Sequence, residues 1–309
     1  MDMSDRPLEP VHAYRGVLRH DEPMDRHVSW RAGGRAGTFF QPADLEDLRS
    51  FLAARSAAEA ILFVGLGSNL LVRDAGFDGT VILTHHALSG IHVESETPTR
   101  LTFSAGSGVP APHLARFVAR HGGAGGEWLA GVPGTIGGAL AMNAGCYGGE
   151  TWDHVVTVTT IDRSGAIRAR TPSDYEIGYR HVAARDARTQ WFVSGTFAFG
   201  RGDEASAMAR MKELLVRRVA TQPLGQPNAG SVFRNPEAGA AARLIENCGL
   251  KGHAIGGAQV STMHANFIVN TGGATAADIE ALIDYVQETV RARTGIALVP
   301  EVRIVGKAA

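Results

Sequence analysis

From residue 128 to residue 149 the chain carries no charged side chain, seven glycines and one proline. A span so free of charge invites a membrane reading. A spanning helix, however, wants ~20 mainly apolar residues with few breakers. Here Gly131, Pro133, Gly134, Gly137 and Gly138 fall within eight residues. Glycine lets backbone N–H groups approach a ligand without a side chain in the way. The stretch therefore suggests a donor surface for a flat or apolar ligand, or for a pyrophosphate. A Gly-rich packing turn is the plainer alternative. Glycine is in excess overall, 38 of 309 residues against a usual ~7%. The excess is clustered and non-periodic, which excludes collagen.

A second loop, Gly65-Leu66-Gly67-Ser68-Asn69-Leu70, follows the apolar run 61–64. It opens like a dinucleotide fingerprint but has Leu70 where the last glycine belongs, so that reading fails. No Walker A motif is present. What remains is a nest of N–H groups, with the Ser68 hydroxyl and Asn69 amide, suited to an anion. An ordinary strand-to-loop turn explains it equally well. Two such loops in one chain point to a nucleotide cofactor with a pyrophosphate.

Around these loops the pattern alternates irregularly. Residues 43–56 read as an amphipathic helix with Leu45, Leu48 and Leu52 on one stripe. Runs 61–64, 80–83, 101–104, 155–161 and 192–199 read as strands, with a bulge expected at Gly195. Pro110 opens a helix stopped by Gly122 and Gly123. Residues 204–220 form a helix with Met208, Met211 and Leu215 inward, and 222–228 a linker. Thr275 and Asp278 start a capped helix with Ile279, Leu282, Ile283, Val286 and Val290 on its buried face. The chain closes on a strand, 302–305. This mixture favours α+β over an alternating doubly wound fold.

Thirty basic against 31 acidic side chains leave a formal charge of −1. That balance offers no field for nucleic acid and no polybasic membrane signal. Cys146 and Cys248 lie far apart without a CxxC pair, so no disulfide framework or cysteine-type zinc site is expected. His85-His86 has no supporting carboxylate and HExxH is absent, so no metal is expected. Residues 1–10 are polar and acidic with no apolar core, which argues against a signal peptide and for the cytoplasm.

Five motifs occur in order: Gly65-x-Gly67-Ser68-Asn69-Leu70-Leu71; Gly131-x-Pro133-Gly134-Thr135-Ile136-Gly137-Gly138; Gly178-Tyr179-Arg180; Gly230-Ser231-Val232-Phe233-Arg234-Asn235-Pro236; and Pro300-Glu301-Val302-Arg303. Together they resemble the UDP-N-acetylenolpyruvoylglucosamine reductase (MurB) family, over residues 23–306. The length and the 230–236 segment resemble its shorter, type II branch. The resemblance implies an FAD-binding domain of the PCMH (vanillyl-alcohol-oxidase-like) type at 20–200, to which a last strand, 298–306, returns. A C-terminal α+β domain at 205–297 would bind the UDP-sugar.

It also implies the chemistry. NADPH would pass a hydride to non-covalently bound FAD, and flavin N5 would then deliver it to C3 of UDP-N-acetylenolpyruvoylglucosamine. Charge gathers at C2 and in the carboxylate, and the product is UDP-N-acetylmuramate for peptidoglycan. Such a transition state needs a fixed cation at the carboxylate and a proton donor at C2. Arg180 suits the first, since guanidinium grips a carboxylate with two parallel bonds. Ser231 suits the second, because a carbanion-like centre is base enough to deprotonate a serine. Glu301 would repel an enediolate unless it is protonated or paired with a cation; pairing with Arg303 is the structural alternative. Gly65, Gly67, Ser68, Asn69, Gly131, Pro133, Gly134, Ile136, Gly137 and Gly138 fall to the cofactor. Tyr179 is taken as a contact stacking near flavin or nicotinamide, and Asn235 and His264 as contacts to the UDP-sugar. A monomer is expected.

Two other classes compete. Another PCMH-type flavin oxidoreductase would share both glycine loops but has no reason to keep Ser231 and Glu301 in these contexts. A non-catalytic nucleotide-sugar-binding protein would lack the yellow flavin band.

Overall fold

The computed structural model describes residues 14–186 and 188–308; the leader reading of residues 1–10 lies outside them. The first sheet has strand order Val17–Pro23, Arg35–Gln41, Phe77–Leu83, Ile61–Val64. Only the first pair is antiparallel. Strand neighbours point to opposite faces, and both faces of this sheet are buried. Phe39 and Val81 pack on one side with Met24, Val28 and Val72. Phe40 and Ile82 pack on the other with Leu48, Phe51 and Leu52 of helix α1 (Leu45–Ala53). Asp44 caps α1 by accepting from the Asp47 N–H, so the helix starts two residues later than periodicity suggests.

Ile161 and Val193 join that same α1 core from a second, antiparallel sheet. Its order is Ile167–Arg170, Val155–Asp162, Gln190–Arg201, Arg100–Gly106, Ile91–Glu96. Helix α2 (Ala111–Arg120) covers its other face with Leu114 and Val118 against Phe103 and Phe197. The expected bulge at Gly195 is absent: Gly195 pairs in register with Val158 and Ala105. The register slips instead between Val155 and Thr157 and between Thr159 and Thr160. Gly195 is small because a Cβ there would stand 2.9 Å from the Phe197 ring.

The uncharged 128–149 stretch breaks into a 3-10 turn, a seven-residue helix α3 (Ile136–Met142) and two-residue strands at Gly145–Cys146 and Gly149–Glu150. Among the described residues no helix is long and apolar enough to cross a membrane. Helix α4 (Glu204–Thr221), expected to open the second domain, buries Ala207 and Met211 in the core shared with α2 and the 127–131 turn. Leu214, not Leu215, is its third buried contact, and Met208 is only partly covered.

Beyond the 222–228 linker a three-stranded sheet, Ala254–Ile255, Ala258–Val260 and Ile268–Asn270, packs with α5 (Ala241–Asn247) and α6 (Ala276–Thr294). The Thr275–Asp278 capping box opens α6, and all five expected residues are buried. This core also takes in Trp30, Ala32 and Leu71 from the first part of the chain. The Trp30 indole N–H donates to Ile268 O (2.8 Å), and Asn270 Nδ2 donates to Trp30 O (3.0 Å). Arg303–Val305 then returns to pair in parallel with Leu70–Val72.

Candidate active site

The two glycine loops interlock. The Ser68 hydroxyl donates to Pro133 O (3.1 Å). Gly134 is left-handed (φ +119°), and a Cβ on it would stand 2.8 Å from Ser68 Oγ. A Cβ on Gly65 would stand 2.8 Å from Thr135 Cγ2 and nearer still to its hydroxyl. Gly67 (φ +59°) faces residues 27–28 as closely, and its carbonyl accepts the Ser29 N–H (3.1 Å). The loops thus need glycine where they meet each other and the segment leading to Trp30.

This packing leaves donors unused. Among the described residues, no backbone N–H from 65 to 69 has an acceptor, nor does that of Gly134. Thr135 Oγ1 is buried without a partner between the loops. An anionic cofactor laid across them would satisfy these groups, so the residues present fit a pyrophosphate-bearing nucleotide. Ile136 and Gly137 belong to a different layer. Their N–H groups bond to Val109 O and Ser107 O (2.8 Å each), and Ile136 is fully buried. Gly138 does line the groove beside the loops.

Facing the loops is a wall zipped from distant segments. Phe233 bridges Pro300 in antiparallel fashion, and the Glu301 N–H donates to Val232 O (2.7 Å). Asn69 Nδ2 donates to Glu301 O (3.0 Å), tying the wall to the first loop. Ser231 therefore enters the groove beside Glu301. Its hydroxyl has no hydrogen-bond partner among the described residues.

Arg180 comes from a third place, the two-residue turn between Tyr175–Gly178 and His181–Ala184. It is left-handed at φ +54°, a conformation that costs a residue with a Cβ of order 1 kcal/mol or more. Its Nε donates to Glu301 Oε1 (2.7 Å), Nη1 to Asn143 O (3.3 Å) and Nη2 to Gly145 O (2.8 Å). Both partners of the ion pair are about five-sixths covered, at 15% and 16% exposure. Glu301 thus pairs with Arg180 rather than Arg303. Burial pushes the Glu301 carboxyl up from its ordinary value, and Arg180 and then Arg234 pull against that rise. Tyr179 is exposed, with its ring centroid 5.0 Å from the Arg180 guanidinium carbon.

Asn235 and His264 stand outside the groove lining and serve local turns. Asn235 Oδ1 accepts the Ala241 N–H at the start of α5 (3.0 Å), and His264 Nδ1 accepts the Asn266 N–H (3.3 Å). Burial lowers the His264 pKa, favouring the neutral ring that such an acceptor needs. Arg218, which the sequence reading left unassigned, lines the groove from the last turn of α4. It has no carboxylate partner among the described residues; its Nε donates to Gln222 Oε1 (3.0 Å), and burial lowers its pKa. An arginine among the helix's surface positions carries no spacing signal that separates it from Arg217. Arg180, Arg218 and Arg303 against Glu301 leave the groove with an excess of positive charge, suited to phosphates and a carboxylate. Among the described residues no cluster of metal-ligating side chains occurs.

Residues 36–170 match the FAD binding domain model, and residues 222–305 match that of the UDP-N-acetylenolpyruvoylglucosamine reductase C-terminal domain. The chain is 56% identical to the UDP-N-acetylenolpyruvoylglucosamine reductase of Thiobacillus denitrificans, across 95% of this chain and 93% of the relative. It is 52% identical to that of Alkalilimnicola ehrlichii, across 100% and 99%. The crystal structure of the Thermus caldophilus enzyme (MurB) superposes with a TM-score of 0.78 at 28% identity, covering 94% of this chain and 99% of that one. With relatives this similar along nearly its whole length, the chain belongs to the UDP-N-acetylenolpyruvoylglucosamine reductase family.

Proposed function

We propose that the protein reduces UDP-N-acetylenolpyruvoylglucosamine to UDP-N-acetylmuramate, a step of peptidoglycan synthesis, with non-covalent FAD as resident cofactor and NADPH as reductant. The observation that carries this reading is the meeting of Arg180, Ser231 and Glu301, from three stretches of chain, over the interlocked glycine loops. When bound, FAD supplies two-electron chemistry, taking hydride equivalents from NADPH and giving them to the substrate's double bond. The free N–H groups of 65–69 and 134, with Ser68 and Thr135, would hold it, Gly131, Pro133 and Gly138 giving it room. Cys146, the thiol in the groove, is pushed up to about 11 by burial. Its thiol donates to Trp128 O (3.0 Å), and a thiol so placed is a poor nucleophile, which suits a non-covalent cofactor.

Arg180 retains one N–H on each Nη after its bonds to Asn143 and Gly145. Those two grip the enolpyruvyl carboxylate and meet the charge that flows into it as C3 is reduced. Ser231, unbonded, gives its proton to C2. Glu301 fixes Arg180 through Nε, and this pairing offsets its repulsion of the enediolate-like charge. Arg218 and Arg303 attract the phosphates. Tyr179 is read as a stacking contact, and the uridine end as running toward Asn235 and His264.

We divide the chain into an FAD domain at 20–200 with α4 packed on it, a substrate domain over the following residues to 297, and the returning 298–306. Chain length and the 230–236 segment fit the type II branch. We take the protein to act as a monomer. Charged nucleotides do not cross a bilayer unaided, which suits the cytoplasm. The FAD-loaded protein should consume NADPH beyond one equivalent per flavin rapidly only when UDP-N-acetylenolpyruvoylglucosamine is present. Turnover with oxygen alone at the same rate would favour an oxidase and refute the reading.

A further inference from the structure

We propose that Asn143 is the positioning residue for Arg180, holding the arginine's turn and its guanidinium from a single point. The inference rests on the role given to Arg180 above. Asn143 follows α3 in the left-handed region, φ +42° and ψ +52°, and is only 2% exposed. Asparagine and glycine are the residues that enter this region most readily. A mere helix stop needs only that backbone, which glycine supplies better. The amide does something more.

Its Nδ2 donates to Glu150 Oε2 (2.8 Å) and, 35 residues ahead in sequence, to Gly178 O (3.1 Å). Its Oδ1 accepts the Trp152 N–H (3.1 Å). Both protons of the buried amide are thus used, and its oxygen accepts one bond. Gly178 is the residue from which the Tyr179–Arg180 turn springs. The Asn143 main-chain oxygen then accepts from Arg180 Nη1, and Gly145 O, two residues on, from Nη2. One residue therefore grips the base of the turn with its side chain and receives the tip of the arginine with its backbone. Arg180 sits at φ +54°, a strained conformation that persists only where the surroundings over-determine it. Asn143 supplies that constraint, so the guanidinium stands in place before the substrate carboxylate arrives.

Asn143→Gly keeps the left-handed backbone and the carbonyl acceptor and deletes only the amide. Asn143→Asp, nearly isosteric, keeps the acceptor for Trp152 and removes both donors. In FAD-loaded protein each variant should keep flavin content, visible spectrum and the rate of flavin reduction by NADPH. Reoxidation by UDP-N-acetylenolpyruvoylglucosamine should slow ~10- to 100-fold, the scale of a misplaced catalytic group. Titration of the oxidised protein with UDP-N-acetylmuramate, followed by flavin absorbance, should show weaker binding. In an Arg180→Ala background Asn143→Gly should change reoxidation less than about twofold, because a residue acting only through Arg180 has nothing left to act on. The same factor in both backgrounds, equal slowing of both half-reactions, or failure of both variants to retain flavin would make Asn143 a structural residue and overturn the proposal. Wild-type protein that is not reoxidised by the substrate would instead overturn the functional reading beneath it.

Discussion

Ser231→Ala separates a proton donor from a turn residue. The hydroxyl is half-buried in the groove and bonds to nothing among the described residues. A net hydrogen bond is worth about 1 kcal/mol; none is lost here. The stability change should stay within ~0.5 kcal/mol, moving Tm by no more than ~2 °C for a chain of this size. Had the serine been capping its turn, the loss would be ~1 kcal/mol and ~2–4 °C. Chemistry should respond oppositely. General acid catalysis contributes ~10²- to 10⁴-fold, so reoxidation of flavin by UDP-N-acetylenolpyruvoylglucosamine should slow at least ~100-fold, about 2.7 kcal/mol on the barrier. Reduction by NADPH should keep its wild-type rate, because that step takes no proton from Ser231. Ser231→Cys should recover part of the loss, since a thiol also donates. Stopped-flow absorbance of both half-reactions with a thermal melt provides all four numbers. Equal slowing of the two halves, or a Tm drop of several degrees with normal chemistry, would refute the assignment.

Arg180→Lys should retain flavin yet slow the substrate half-reaction ~100-fold, because an ammonium cannot hold Glu301, two carbonyls and a carboxylate in one plane; unchanged reoxidation would remove the carboxylate role. Gly65→Ala drives a methyl into Thr135, and an overpacking cost of ~1–3 kcal/mol should weaken FAD retention ~10- to 100-fold, read as the flavin-to-protein absorbance ratio after gel filtration; a stoichiometric ratio would sink that account. Burial raises the Glu301 pKa above its ordinary 4.5, so the folded chain holds that proton more tightly than the unfolded one. Its contribution to stability is complete below pH 4.5 and is lost as pH rises through the raised value. Glu301→Gln, which does not titrate, should therefore gain Tm relative to wild type as pH is raised above 4.5; a difference independent of pH would show that the carboxyl is not perturbed.

What could be read from the sequence divides along a physical line. The strand Ile61–Val64 and the capped helix α6 were legible because local rules, apolar runs and a capping box, decide them. The glycines at 65, 67 and 134 were legible as two backbone-donor loops for a ligand, but only packing shows that they are also crowded by each other and by residues 27–28. The motif that includes Ile136 and Gly137 looks uniform in sequence, yet those N–H groups bond to the neighbouring segment at 107–109. Gly195 read as a bulge from its residue type alone, whereas the Phe197 ring is what requires it. Arg218 and the amide of Asn143 act through partners that no periodicity reaches, and Glu301 meets Asn69 across 232 residues.

That last contact bears on how the enzyme is made. The Asn69 amide, the parallel pairing of 70–72 with 303–305, and the Arg73 guanidinium on Gly306 O all depend on the 301–306 segment. A chain in which residues 300–306 have not yet docked has its glycine loops but lacks the Glu301 part of the wall opposite them. Closing the pocket is thus a long-range folding event, joining positions 232 residues apart, whose loop must be ordered before the contact forms. Loss of the 301–306 segment would remove the arginine's anchor and the first loop's fastening together, leaving Ser231 in place but without its neighbour Glu301.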